Sequence, residues 1–453
     1  MGWIPSNRIY LNKKDTLTDH RRLLRDFPGR QLPGKDPNNK NEGHLLTSFH
    51  KASQRSVNTT KEVACMDRPT ELTASRIIGL DLSKKTLVGC SLSREDGFQK
   101  KKHFDGLMNE KGRVHLASMI GKGDAVFMEG GSSSFTLARY LMNHTEADVF
   151  VLNPMQLHII FESMCKSDRQ DAAKLAKYGR DAHPENWCLI PIPTEQESAE
   201  RSVINLHIAY SQYHTKVTNK LHAVFNGQGH PDLKKSDLKD PKLRRIHAEN
   251  LLRDVTALFS AVLLTDMLDF LELQIEAIHE KIHQICLNHP QQALSWLSIP
   301  GIGDITAATL IAYIGDGQRF GTASQLRNYI GLIPRKDQSG TVDKQLGITK
   351  FGCMPVRRHI MQGAWGIKKF SRDCSLTRYW EELEARRKLG QKAAVAIANK
   401  MISIGFALLK TGGLYEMPDG AQYLKRKLKS YKLEALIEHH SAKIDSDKSS
   451  IDC

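Results

Sequence analysis

No stretch of this 453-residue chain is apolar for anything near the ~20 residues that a membrane-spanning helix requires. Its start, MGWIPSNRIYLNKKD, lacks the apolar core of a signal peptide, so the sequence reads as that of a cytosolic protein. The eight cysteines form no C-x-x-C pair and no close cluster, which argues against a thiolate zinc site and against a disulfide framework. A Gly-x-Ser-x-Gly elbow is also missing, so a hydrolase triad of that kind is not indicated. Acids are in deficit: 50 Asp and Glu against 65 Lys and Arg leave a net charge of +15. That balance suits a protein that meets phosphate, although solubility alone favours a modest excess of one sign. The length allows two or three domains, each with its own core.

The chain changes character along its length. Residues 1–75 are polar, basic and rich in Asn, Pro, Gly and Ser without sustained periodicity, and they read as a disordered extension. Met66 lies ten residues before the first apolar strand, and residues 1–65 are expected to be dispensable. From Arg76 the segment IIGLDLS reads as a strand carrying an acid, with TLVGCSL as its hairpin partner. DAVFMEG (124–130) is a buried strand ending in an acid, followed by a helix through Phe135–Met142. ADVFVLNP (147–154) is a third strand, a helix begins after Pro154, and KSDRQDAAKLAKYGRD reads as helix. Alternation of this kind over 76–185 indicates an α/β layer fold.

Residues 195–290 are polar-rich and helical. Leu264, Leu268, Leu271, Ile275, Ile278, Ile282 and Ile285 step by four and three, a heptad seam that serves equally for pairing helices or subunits and for an ordinary core helix. Residues 291–415 form a third region: a helix, tight turn and helix in SIPGIGDITAATLIAYIG, a loop PRKDQSGTVDKQLG, and the helix AAVAIANKMISIGFALLK. A charged tail, 416–453, closes the chain.

Four acids carry the chemistry. Asp81 and Glu129 stand at the ends of strands, and in an open sheet the carboxyl ends of neighbouring strands gather at one edge. Asp168 and Asp171 are three apart on a helix and share one face that can point to that edge. Clustered carboxylates repel unless cations hold them, and hard oxygen ligands suit Mg²⁺, two of which can clamp the oxygens of a phosphoryl transfer. Taken singly, each acid is as readily a surface group or a helix cap.

In order and spacing, GLDLSK, MEGGSS, VLNP and KSDRQDA resemble the N-terminal half of the DEDD transposases of bacterial insertion sequences, the 110 and 1111 groups. IPGIGDITAATL, RFGTASQLRNYIGLIPR, DQSG, LGITKFG and VRRHIMQGA resemble the C-terminal domain of the same family, so the resemblance spans about residues 76–415. It implies a RuvC-like, ribonuclease-H-type domain, a coiled-coil middle, and a mostly helical C-terminal transposase domain bearing a serine. Carried over, Asp81, Glu129, Asp168 and Asp171 would be the metal-binding acids and Ser339 the catalytic serine. The resemblance also implies double-stranded DNA as substrate and a structured guide RNA encoded beside the gene. The first 75 residues have no counterpart in it, and MEGGSS is looser than the family's run after the glutamate.

Beside the resemblance, Gly301-Ile302-Gly303 between two helices has the form of a helix-hairpin-helix, whose backbone N–H groups can meet a phosphate. A plain helical hairpin would use the same glycines only to turn. Arg319, Arg327, Arg335 and Lys336 supply positive charge nearby, which favours phosphate contact, and Lys350, Arg357 and Arg358 further on are read with Arg335 and Lys336 as DNA contacts. Ser339–Gly340 reads from the residues alone as a turn, so the nucleophile is assigned by resemblance only. HEKIH (279–283) fits the zinc-protease pattern H-E-x-x-H, with His289 where a third ligand would stand. Cys286 replaces the glycine that pattern needs, and the apolar seam runs straight through Ile278, Ile282 and Ile285, so surface histidines are the better reading. The sequence therefore points to a DNA transposase, expected to act as a homo-oligomer. A Holliday-junction-type nuclease using the acids and water is the alternative.

Overall fold

A computed structural model describes residues 71–131, 133–160, 167–339, 342–370, 373–386 and 390–437, with side chains except at 158–160 and 335–346. Nearly all of the basic extension read over 1–75 therefore lies outside the described residues, as does 438–453. Strands β1 (Arg76–Leu82), β2 (Thr86–Ser93) and β3 (Lys102–Leu107) form an antiparallel meander. On the other side of β1, β4 (Asp124–Glu129) and β5 (Asp148–Leu152) add in parallel, giving the order β3-β2-β1-β4-β5.

Successive side chains of a strand face opposite ways, and in β1, β4 and β5 both directions are apolar. Ile77, Phe127 and Phe150 enter a core shared with Leu175 and Trp187. Ile78, Leu80, Val126, Met128, Val149 and Val151 enter the opposite one, closed by Leu116 of helix α1 (Glu110–Met119) and Leu137 and Leu141 of α2 (Ser134–His144). A short helix, α3 (Pro154–Ile160), leaves β5, and α4 (Asp168–Asp181) brings Leu175 onto the first face. β3 and α1 have no counterpart in the sequence reading. KHFDGL is exposed at every second position or more and carries little apolar signal.

Helix α5 (Glu195–Gly227) starts on a capping box of Thr194 and Glu197. It packs along α7 (Val255–Asn288), and α6 (Pro241–Leu251) lies against the latter. The anticipated seam is buried within this chain: Leu268 and Leu271 meet Val217, Leu221 and Phe225, while Ile278, Ile282 and Ile285 join Ile204 and Ile208. The seam therefore pairs two helices of one chain, α7 with α5, and forms part of its core. Arg244 of α6 is fully buried and donates to Asp269 at 2.5 Å and to Glu272 at 2.7 and 2.8 Å, tying α6 to α7.

The remaining elements are α8 (Pro290–Ser298), α9 (Asp304–Ile314), α10 (Ala323–Ile330), β6 (Pro334–Ser339), β7 (Val342–Ile348), α11 (Met354–Lys368), α12 (Ser375–Ala385), α13 (Gly390–Thr411) and α14 (Gly420–Ser430). Trp296, Leu310, Ile360, Ile397 and Met401 make one core there, shared with Ile204 and Ile282 of the long helices. Three expectations change. The segment read as the loop PRKDQSGTVDKQLG is the antiparallel hairpin β6–β7. The charged tail is in its first half the helix α14, whose Leu424 and Leu428, with Leu433 and Leu436 beyond it, pack into the core. Helix α13 does reach the length and apolar composition of a membrane span, yet Ala394, Ile397, Ala398, Met401 and Ile402 are buried inside the protein.

Candidate catalytic carboxylate site

Backbone register sets two of the acids side by side. Leu80 of β1 pairs with Met128 of β4, and the next position of each strand is Asp81 and Glu129, at the carboxyl end of two adjacent parallel strands. Gly79 then decides where α4 lies: a Cβ there would come within 2.2 Å of the Ala172 carbonyl and 2.4 Å of the Ala176 amide. Only glycine allows so close a crossing, and it brings the first turn of α4 to the same edge. Ser167 caps that turn by accepting from the Gln170 amide, and Asp168 and Asp171 sit in it, where the helix N-terminus favours negative charge. Burial raises the Asp81 pKa first, and the charges of Asp168, Asp171 and Glu129 raise it further. The four acids thus share one electrostatic neighbourhood, although about ninety positions separate them. Lys174, one turn on, approaches Asp171 at 2.9 Å.

This donor set fits a hard divalent cation in chemistry: carboxylate oxygens only, held together against their repulsion. Among the described residues, however, no three potential ligands gather around one point in the present arrangement. Asp81, Glu129 and Asp171 line a cavity of about 1190 Å³. Its opposite wall comes from the C-terminal region, with Tyr313, Asn328, Tyr329, Phe351 and Cys353. The β6–β7 hairpin rises from this wall. Lys350 donates from its amide to Gly331 O at 3.3 Å, and Cys353 to Tyr329 O at 2.9 Å, which fixes the hairpin's root beside the cavity. Ser339 is the last residue of β6, paired with Val342. Five residue steps place it ~17 Å along the strand from Pro334. Its side chain lies outside the described residues, so the structure places the serine's backbone and not its hydroxyl.

Residues 295–379 match the family model described as "Transposase IS116/IS110/IS902 family". The "Pilin gene-inverting protein" of Moraxella bovis is 24% identical over 349 residues, 74% of this chain and 95% of its own length. The transposase of insertion sequence element IS1328 from Yersinia enterocolitica is 24% identical over 75% of this chain and 98% of its own length. A shorter but closer match, 35% over 113 residues, is to the transposase of IS1111A from Coxiella burnetii, covering 31% of that protein. The chain is thus similar to transposases of the IS110 type, and the family model itself is matched over residues 295–379.

The other candidate residues of this transposase are distributed as follows. Gly301 has a φ of +81°, and a Cβ on it would lie 2.4 Å from the Gly363 carbonyl, so it serves both the turn and the contact with α11. Gly303 precedes α9 without a side-chain cap, against Tyr431. Lys350 is exposed, with a left-handed φ of +57°. The Arg357 guanidinium donates to Ile330 O at 2.7 Å, and burial lowers its pKa, which makes it a structural group. Arg358 lines a small cavity of about 200 Å³ with His207, Asp304 and His359. Arg335 and Lys336 stand on β6 with side chains outside the described residues. The histidines of the protease-like motif separate: His279 meets His207 at 3.2 Å, His283 meets Asp304 at 2.9 Å, and His289 meets Glu200 at 2.8 Å. Each ties α7 to a different partner residue, and they do not converge. Sequence reading missed the cavity's far wall, which carries no charged signature, and Lys174, which its spacing of three from Asp171 could have suggested.

Proposed function

We propose that this transposase, acting in the cytosol, cuts and rejoins DNA at the ends of a mobile element by a serine mechanism assisted by Mg²⁺. The observation that carries the reading is the cavity in which Asp81, Glu129 and Asp171 face a wall of the C-terminal region. The α/β layer is read as RuvC-like and ribonuclease-H-type, supported by the strand order and by acids on β1, β4 and α4. Asp81, Glu129, Asp168 and Asp171 would hold the metal, which when bound stabilises charge on the phosphate oxygens.

The Ser339 oxygen forms a new bond to phosphorus as the bond from that phosphorus to one deoxyribose oxygen breaks. The serine proton passes to a base, and the departing oxygen takes up a proton. A hydroxyl of a second DNA end then displaces the serine, so the count of phosphodiesters is conserved. The +15 charge and the exposed Lys350 suit contacts to the DNA backbone, which position a duplex without reading it. Sequence choice is assigned to an element-encoded RNA, on the strength of the resemblance.

Ser339→Ala tests the mechanism. The variant should bind DNA as the parent does and leave no protein–DNA adduct after denaturation. An adduct of normal yield would remove the serine and leave the hydrolytic nuclease that uses the acids with water.

A further inference from the structure

The cavity wall that faces the carboxylates is aromatic rather than charged. Tyr313 and Tyr329 are held in it by their hydroxyls, which donate to Asn205 at 3.1 Å and to the Tyr313 carbonyl at 3.4 Å. Phe351 has no such tie, and its ring lines the cavity while 59% exposed. Met155 of α3 lines the same cavity and is 58% exposed. The backbone that carries Phe351 is fixed on both sides. Lys350 before it holds a left-handed φ of +57°, uncommon for a residue with a side chain. A Cβ on Gly331 would lie 2.3 Å from the Phe351 carbonyl, and one on Gly352, whose φ is +133°, 2.3 Å from the Tyr329 carbonyl. A ring left mostly in water adds little by burial, so a strained, closely packed turn that presents one points to use.

We infer that Phe351 is a stacking platform for an unpaired nucleobase of the DNA strand being cut, and so positions that strand over the carboxylates. The inference rests on the cleavage reading proposed above and adds to it the state of the substrate. In a paired duplex each base face is covered by its neighbours, so a ring meets one only where the stack is broken. A cavity of about 1190 Å³ suits a few nucleotides of one strand rather than a duplex. With a phosphate at Asp81, Glu129 and Asp171, the attached base extends toward the far wall, which offers aromatic faces and no charged side chain. Stacking asks nothing of the base's edge, so Phe351 holds any base and leaves sequence choice elsewhere. Lys350, exposed beside it, suits the next phosphate of the same strand.

Photocrosslinking on the full chain, purified with its RNA, tests the contact. The probe is element-end DNA carrying 5-iodo-2′-deoxyuridine at one position at a time around the cut. Asp81→Asn protein serves here, because the contact does not need cleavage. A probe position beside the scissile phosphate should crosslink to Phe351, read by mass spectrometry of the peptide. Iodouracil that reaches Phe351 from no DNA position, or only when placed in the RNA, would overturn the inference. Strand cleavage in Mg²⁺ gives a second reading. Phe351→Leu should lower it roughly 5- to 150-fold, the worth of one base–aromatic stack, while Phe351→Trp should keep it. Both variants should melt as the parent does. Failure of the cleavage reading would show as an uncut substrate with the parent. Failure of the inference alone would show as a parent and a Phe351→Leu variant that cut equally, or as Phe351→Trp losing as much as Phe351→Leu.

Discussion

His207 and His359 are nine-tenths buried, and burial pushes both down to about 4. For His207 the neighbouring His279 and His359 add to that, with Asp304 opposing them; for His359, Arg358 adds. An unfolded chain protonates its histidines near 6.5, so it takes up protons first as pH falls. The stability these imidazoles contribute is complete above about 6.5 and is lost on the way down to about 4, roughly 3 kcal/mol for each. The melting temperature should therefore drop steeply between about pH 7 and about pH 4, and His207→Gln should shallow the drop; a flat profile would refute it. Arg357 and Lys350 make a second contrast. Arg357→Ala should cost about 1–3 kcal/mol in unfolding, because it leaves the Ile330 carbonyl without its donor. Lys350→Ala should leave melting unchanged and weaken DNA binding with a shallower salt dependence. Letters alone made these residues look alike, since a basic side chain that folds back onto a carbonyl has the same code as one that meets phosphate.

Helix α4 crosses β1 at Gly79 with no room for a methyl group. Gly79→Ala should destabilise the chain by about 1–3 kcal/mol. It should also lower strand cleavage beyond what the loss of folded protein explains, because Asp168 and Asp171 move with the helix. Cleavage per folded molecule equal to the parent's would count against this. The elements of the α/β layer that carry the acids were legible because their apolar runs are bounded and short. Hairpin β6–β7 was not, for PRKDQSGTVDKQLG has no alternation of apolar residues to mark a strand. The seam of α7 was legible as a pattern but not in its use, since intrachain and intersubunit packing repeat at the same spacing.

At the scale of the molecule, the acids come from the first layer of the chain and the serine from a hairpin rooted beyond the long helices. The family match over 295–379 covers the serine but not the acids, so the carboxylate half of the account rests on the register of β1 with β4 and on the seat of α4. Sequence could propose that Asp81, Glu129, Asp168 and Asp171 belong together. It could not indicate that their common edge opens onto a wall of Tyr313, Tyr329 and Phe351. The most direct measurement is DNA strand cleavage in Mg²⁺ by Asp81→Asn protein, purified with whatever RNA accompanies it. The substitution relieves carboxylate repulsion, so melting and DNA affinity should stay at the parent's level while cleavage disappears. Cleavage at the parent's rate would contradict the account.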